Sequence, residues 1–345
     1  MSTNSPASTI WHKLWLLIKR NLGYLLAIIC LIWLFHDLQW DKLFQQLVRI
    51  KWVWIAPAIF CDLLSYVIEG LRWHLLLRPL GRLSPLRTTQ AIYAGLFTNE
   101  ILPLRMGELV RTYLVSRWLQ LKFTVIVPSV IIERLFDGLW LAIGIGLTTI
   151  FVDLPEDLLD AADVFGIIIL IMTVLFIVLL IFGEKLFPTA GSEKMPAKNM
   201  FSKMGEILNK LISGIKTIGL TPEFYAALCV SSMVLIFQIM GLWLMMHAYG
   251  LDLSLWIGAA VLIIEHLGNV IPNAPSNVGT YQFFIVLALS IFGIDKTTAT
   301  GFSVVAFIVL TIPFWVLGMI AVSLTGMKIK DIRNEVNKIR NLQLF

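Results

Sequence analysis

Apolar residues along this chain cluster in runs that approach or reach the ~20 residues a helix needs to cross a bilayer. Six stand out, over residues 22–35 with their flanks, 52–71, 125–151, 164–182, 224–246 and 299–324. Two further apolar stretches are short and broken. Residues 91–104 end in Pro103, and residues 256–271 and 281–292 flank a polar tract holding Pro272 and Pro275. Short segments interrupted by Pro and Gly mark re-entrant or discontinuous membrane helices. The pattern predicts an all-α polytopic membrane protein with about six full spans and two re-entrant elements. The two breaks also resemble each other. Asn99-Glu100-Ile101-Leu102-Pro103 is followed by Gly107, and Asn269-Val270-Ile271-Pro272 by Gly279. An inverted-topology repeat is the expectation, with a site where its halves meet.

Charge orients this scheme. If both broken elements return to the side they entered from, 22 of the 27 Lys and Arg fall on one side of the membrane. The segment 152–163 on the other side has five acids and no base. Positive charge stays inside, so both termini are expected in the cytoplasm of a cell (inner) membrane. The bases of the N-terminal segment precede an apolar run with no small-residue cleavage site after it, as in an uncleaved first span.

Composition agrees: 58% of residues are hydrophobic and 14% charged, and mean hydropathy is +0.84. Soluble domains average about 25% charged. Cys30, Cys61 and Cys229 lie in apolar runs without metal-ligand spacing and read as small buried residues. The five histidines form no metal-binding pattern, and no phosphate-binding glycine loop is present. No cofactor, metal or nucleic-acid partner is expected. Two basic stretches look amphipathic, one from Met200 to Lys216 and one from Ile329 in the tail, and suit interfacial anchoring on anionic lipid. Ala142 and Gly146 form a small-xxx-small pair expected at a close helix contact.

Three constellations carry the candidate chemistry. In the first, Pro103 stops one half-helix and Gly107 opens the next. The N-terminus there, with Asn99, Arg105 and Arg111, suits a lipid phosphate, and Glu108 shares a helix face with Arg111. The second is Glu133-Arg134-x-x-Asp137, with Glu133 on the order of 12 Å past Val125 at ~1.5 Å per residue. Ionised groups at that depth cost ~2.5–3.5 kcal/mol each, so they should line water or answer charges such as Arg105, Glu108 and Arg111. The third is Glu265-His266 with Asn269, Asn273, Asn277 and Gly279, a proline-broken tract where unwound backbone can meet a head group. Glu69 and Arg72 read as a structural pair at the membrane interface.

At these residues the chain resembles the transmembrane, flippase-like domain of lysylphosphatidylglycerol synthases and its stand-alone homologues. The resemblance rests on Asn99…Leu102-Pro103-x-Arg105-x-Gly107-Glu108-x-x-Arg111, on Glu133-Arg134-x-x-Asp137, on Arg72-Trp73 and on Pro272…Pro275…Gly279, and it covers roughly 22–324. The loop 273–279 is less glycine-rich than the family pattern. The resemblance implies a cytoplasmic segment 1–21, a flippase-like domain 22–325 with a cytoplasmic loop 184–221, and a basic amphipathic tail 326–345. No aminoacyl-transferase domain is expected. The leading reading is a translocator of a phospholipid or lipid-linked precursor, with passive or proton-linked drive, and with membrane lipids as its partners. Competing readings are a membrane-embedded transferase or hydrolase on lipid-linked sugars, with Glu108 or Glu133 as general base, and an accessory subunit docking a glycosyltransferase or lipid-modifying enzyme through the basic loop and tail.

Overall fold

The computed structural model describes residues 22–101, 106–186, 211–219, 221–268 and 274–326. Among these, every regular element is helical. The first part runs α1 Leu22–Phe35, α2 Trp40–Val48, α3 Trp52–Leu77, α4 Pro85–Ile101, α5 Gly107–Leu119, α6 Phe123–Phe151 and α7 Glu156–Leu186. The helical residues 211–219 form α8. Then follow α9 Pro222–Tyr249, α10 Leu255–Gly268, a 3-10 turn Pro275–Asn277, α11 Thr280–Ile291 and α12 Lys296–Ser323.

By length and apolarity, α3, α7, α9 and α12 can each cross a membrane, and the pair α1 and α2, bent by 90°, makes a fifth span if taken as one. The sixth expected span is α6, 29 residues long and carrying the charged triplet. A helix apolar on every side must be buried in protein or in lipid. α7 is such a helix, yet Ile171 and Leu170 and most of their neighbours face outward. Only lipid satisfies that surface, so the chain is a multi-pass membrane protein. The apolar pattern did not predict α2. It is fastened to the start of α12, where Lys42 Nζ donates to Asp295 at 2.8 Å and Gln46 Nε2 to Thr298 Oγ1 at 2.7 Å.

The core of the bundle is two units of the same design. α3–α6 have lengths of 26, 17, 13 and 29 residues; α9–α12 have 28, 14, 12 and 28. α3 and α9 pack antiparallel along their whole length. Lys51 N donates to Ala248 O at one end, Gly241 lies on Ala58 and Asp62 in the middle, and Arg78 meets Glu223 at the other. The remaining contacts repeat under exchange of the units. α12 runs antiparallel along α4, with Gln90 bonded to Ala321 O and Phe97 against Gly318. α6 runs antiparallel along α10, with Phe151 stacked on Trp256 and Gly144 near Ile263. This is the inverted repeat the two sequence breaks suggested.

Several packing expectations need correction. Cys229 is exposed, unlike Cys30 and Cys61. Gly146 has no neighbour within 4 Å of where a Cβ would sit. The close approaches on α6 are Gly138 against Ile169 of α7 and Gly144 against Leu235 of α9. The apolar side of α8 packs on the bundle: Ile212, Ile215 and Ile218 are buried, with Gly214 against Pro128 and Gly219 against Leu180. The rest of that basic loop and the basic tail lie outside the described residues.

Candidate functional site

Each broken segment folds as a helical hairpin closed by glycine. In the first, a Cβ on Gly107 would stand 1.9 Å from the carbonyl oxygen of Gly95, so α4 and α5 meet backbone to backbone. Asn99 Oδ1 accepts from the Gly107 N–H at 2.6 Å and caps α5 from the neighbouring helix. In the second hairpin, a Cβ on Gly268 would meet the Phe284 ring at 2.1 Å. Gly279, with φ +87°, turns the chain into α11, and its N–H donates to Gln282 Oε1 at 2.7 Å. The two tips touch: Ser276 Oγ donates to the carbonyl of Glu100 at 3.4 Å.

Behind the first tip, α3, α5 and α6 converge on a buried ion network. Arg72, 1% exposed, donates to both Glu133 and Asp137. Arg111 pairs with Glu133 at 2.9 Å and Glu69 at 3.4 Å, and its guanidinium lies 4.8 Å above the Trp73 ring. Glu133 has no exposed surface. At the edge, Arg134 reaches Glu108 at 2.8 Å and Asp137 at 3.1 Å. Four carboxylates face three guanidiniums, so each charge finds counter-charge without water, as burial in an apolar bundle demands. α12, the counterpart of α6, has no charged residue after Lys296. The network therefore belongs to the first unit alone.

Between the tips lies a cavity of about 330 Å³. The first unit lines it with Asp62 and Tyr66 of α3, Asn99 and Glu100 of α4, Glu108 of α5 and Arg134 of α6. The second lines it with Gln238 of α9, Glu265 and His266 of α10, the turn Pro275–Asn277, Tyr281 of α11 and an apolar edge of α12. His266 Nδ1 lies 2.8 Å from Glu265 Oε2. The volume is at the low end of the ~300–1,000 Å³ typical of small-molecule sites.

The residues singled out from sequence separate into three sets. Asn99, Glu108, Arg134, Glu265 and Asn277 reach the cavity. Arg111, Glu133, Asp137 and Gly107 stand behind it. The N–H of Gly107 is taken by Asn99 and is not free for an anion, and Arg111 is 3% exposed and spent on two carboxylates. Glu133 cannot touch anything entering the cavity, which removes it as a general base. Arg105 and Asn269 lie outside the described residues. Glu69 and Arg72 are no interface pair: they stand 3.9 Å apart within the central network. Sequence reasoning missed Asp62, Tyr66 and Gln238. For Asp62 the signal was present, an acid in the apolar middle of a predicted span.

The chain is similar to known membrane proteins. A UPF0104 membrane protein of Methanocaldococcus jannaschii is 24% identical over 295 residues, covering 81% of this chain and 87% of that protein. A second UPF0104 membrane protein of the same organism is 24% identical over 208 residues, covering 59% of this chain and 83% of its own length. No solved structure matches the chain. The family model described as the lysylphosphatidylglycerol synthase TM region matches residues 21–318, nearly all of the membrane bundle, and the chain belongs to that family.

Proposed function

We propose that the protein is a lipid translocator of the cytoplasmic membrane, with both termini inside, that passes the polar head group of a phospholipid or lipid-linked precursor through the cavity between the two hairpins. The observation that carries this reading is the inverted repeat whose broken helices meet tip to tip around a polar cavity, the arrangement membrane transporters use to place a site near the midplane. Arg134 is the guanidinium offered to a head-group phosphate. It is half-exposed on the cavity wall and held by Glu108 and Asp137, so an entering phosphate takes the place of Glu108. Arg111 acts behind it, fixing Glu133 and the end of α3.

Leaflet-resolved lipid movement in proteoliposomes tests the reading, using anionic, zwitterionic and polyprenyl-phosphate lipids with wild type beside Arg134→Gln. Faster movement of one lipid class, lost in the variant, is expected. No acceleration of any lipid by folded wild type overturns it.

A further inference from the structure

Four carboxylates line the cavity, and two of them are engaged with a basic side chain. Glu108 is paired with Arg134 at 2.8 Å, and Glu265 lies 2.8 Å from His266. Glu100 sits at the tip contact, where its backbone carbonyl accepts from Ser276 and its side-chain Oε2 is buried without a hydrogen-bond partner. Asp62 is the other unpaired acid, in the middle of α3. Its Oδ2 is sealed from solvent and has no hydrogen-bond partner among the described residues. Asp62 is the eleventh residue of α3, about 15 Å from the helix start at ~1.5 Å per residue. That is half-way through a ~30 Å hydrocarbon core.

Its nearest titratable surroundings, taken helix by helix, are a thiol, phenols and acids. α3 itself gives Cys61, Tyr66 and, two turns on, Glu69; α4 gives Tyr93 and Glu100. Across the cavity stand Glu108 of α5, Arg134 of α6, Glu265 and His266 of α10 and Tyr281 of α11. α9 contributes only the neutral Gln238, and α12 only Thr311. The two basic side chains in this set, Arg134 and His266, are already engaged by Glu108 and Glu265.

We propose that Asp62 is a proton-binding site that couples head-group passage to the pH gradient. This rests on the translocation reading above. Asp62 can gain or lose a proton without breaking an ion pair or a hydrogen bond. Protonating Glu108 or Glu265 would instead weaken a contact already made with Arg134 or His266. Proton uptake also removes an uncompensated charge from the cavity wall, which an occluded passage would otherwise carry through the apolar bundle. A metal cation is the poorer ligand, because no group of three or more His, Cys, Asp or Glu side chains among the described residues is placed to hold one.

Two measurements test the proposal. The first is infrared difference spectroscopy of the purified, reconstituted protein over an acid-to-alkaline series. A protonated-carboxyl band should appear in wild type, shift in Asp62→Glu and vanish in Asp62→Asn. The second is leaflet-resolved lipid distribution in phosphatidylethanolamine–phosphatidylglycerol vesicles, with and without an imposed pH gradient, beside an internal pH dye. One proton per lipid makes each pH unit worth about tenfold in the leaflet ratio. Wild type and Asp62→Glu should approach that ratio with matching proton movement, and Asp62→Asn should show no gradient response. A carboxyl band or gradient response that persists unchanged in Asp62→Asn overturns the assignment, as does a response to a sodium gradient at constant pH. A wild type that moves lipid at a gradient-independent rate overturns coupling and leaves translocation standing. A wild type that moves no lipid at all overturns both.

Discussion

Replacing Glu133 with Gln removes one charge and almost no volume. Glu133 is 0% exposed, and its partners Arg72 and Arg111 are 1% and 3% exposed. The amide keeps one acceptor but turns an NH₂ group toward guanidiniums that have only donors. Arg72 and Arg111 must then share Asp137 and Glu69, the latter 3.4 Å from Arg111 and 3.9 Å from Arg72. Removing one partner of a buried ion pair costs about 3–5 kcal/mol. The remaining carboxylates place Glu133→Gln at the lower end, about 3 kcal/mol. Glu108→Gln is the control, because its partner Arg134 is 50% exposed and exposed pairs contribute about 0.2–1 kcal/mol. The assay is reversible unfolding in mixed micelles of rising SDS fraction, followed by tryptophan fluorescence. A cycle with Arg111→Met should return a coupling of roughly 1–3 kcal/mol, leaving the double variant more stable than the two single costs add up to. Glu133→Gln within about 0.5 kcal/mol of wild type, or equal to Glu108→Gln, would refute the reasoning, because the guanidiniums would then have to be solvated.

Gly107→Ala places a Cβ 1.9 Å from a backbone carbonyl and 2.6 Å from Asn99 Oδ1. The hairpin must open, costing at least about 1–3 kcal/mol, whereas Gly146→Ala, with nothing within 4 Å, should fall within about 0.5 kcal/mol of wild type. Equal unfolding midpoints for the two would refute the backbone contact. Asn99→Ala leaves the Gly107 N–H without its acceptor and should cost about 1–3 kcal/mol, with Asn99→Asp recovering most of it. If Asp recovers nothing, the cap is not what Asn99 supplies. Where α2 meets the start of α12, burial raises the Asp295 pKa, but the bonds from Lys42 and Thr298 outweigh it and hold the carboxyl below its ordinary value. Its contribution is therefore fully present above the unfolded-state value of about 3.9 and is lost as pH falls through the folded-state value. The stability difference between wild type and Asp295→Asn should be flat near neutrality and shrink in acid. A difference that stays constant into acid would contradict this account.

What the sequence made legible is what local pattern and depth control. Apolar runs located the long helices, and Pro103, Gly107, Pro272 and Gly279 located the two breaks. The likeness of those breaks pointed to an inverted repeat, now visible in the antiparallel packing of α3 on α9. The triplet Glu133, Arg134 and Asp137 stood out because charge at mid-membrane is expensive and so needs a purpose. Pairing was legible in part: Glu108 and Arg111 were expected to answer the triplet, and they meet Arg134 and Glu133. Position along a helix does not say which neighbour its face meets, and Arg72, read with Glu69 as a pair at the interface, turned inward and closed on Glu133.

The errors about packing have one physical cause. In water an apolar residue prefers the inside, so an apolar pattern separates core from surface. In lipid that preference vanishes, because acyl chains are as apolar as leucine. Gly146 and Cys229 could face outward at no cost, and nothing in their neighbours told them apart from Gly144 or Cys61. Charge keeps its sign in both solvents: a carboxylate in an apolar span must turn inward. That argument applies to Asp62 as strongly as to Glu133, although Asp62 has no charged neighbour three or four residues away to draw attention to it. In a membrane bundle, acids inside apolar runs are therefore better markers of an interior site than any apolar pattern. Asp62, Glu133 and Glu265 all obey the rule, facing inward from three different helices.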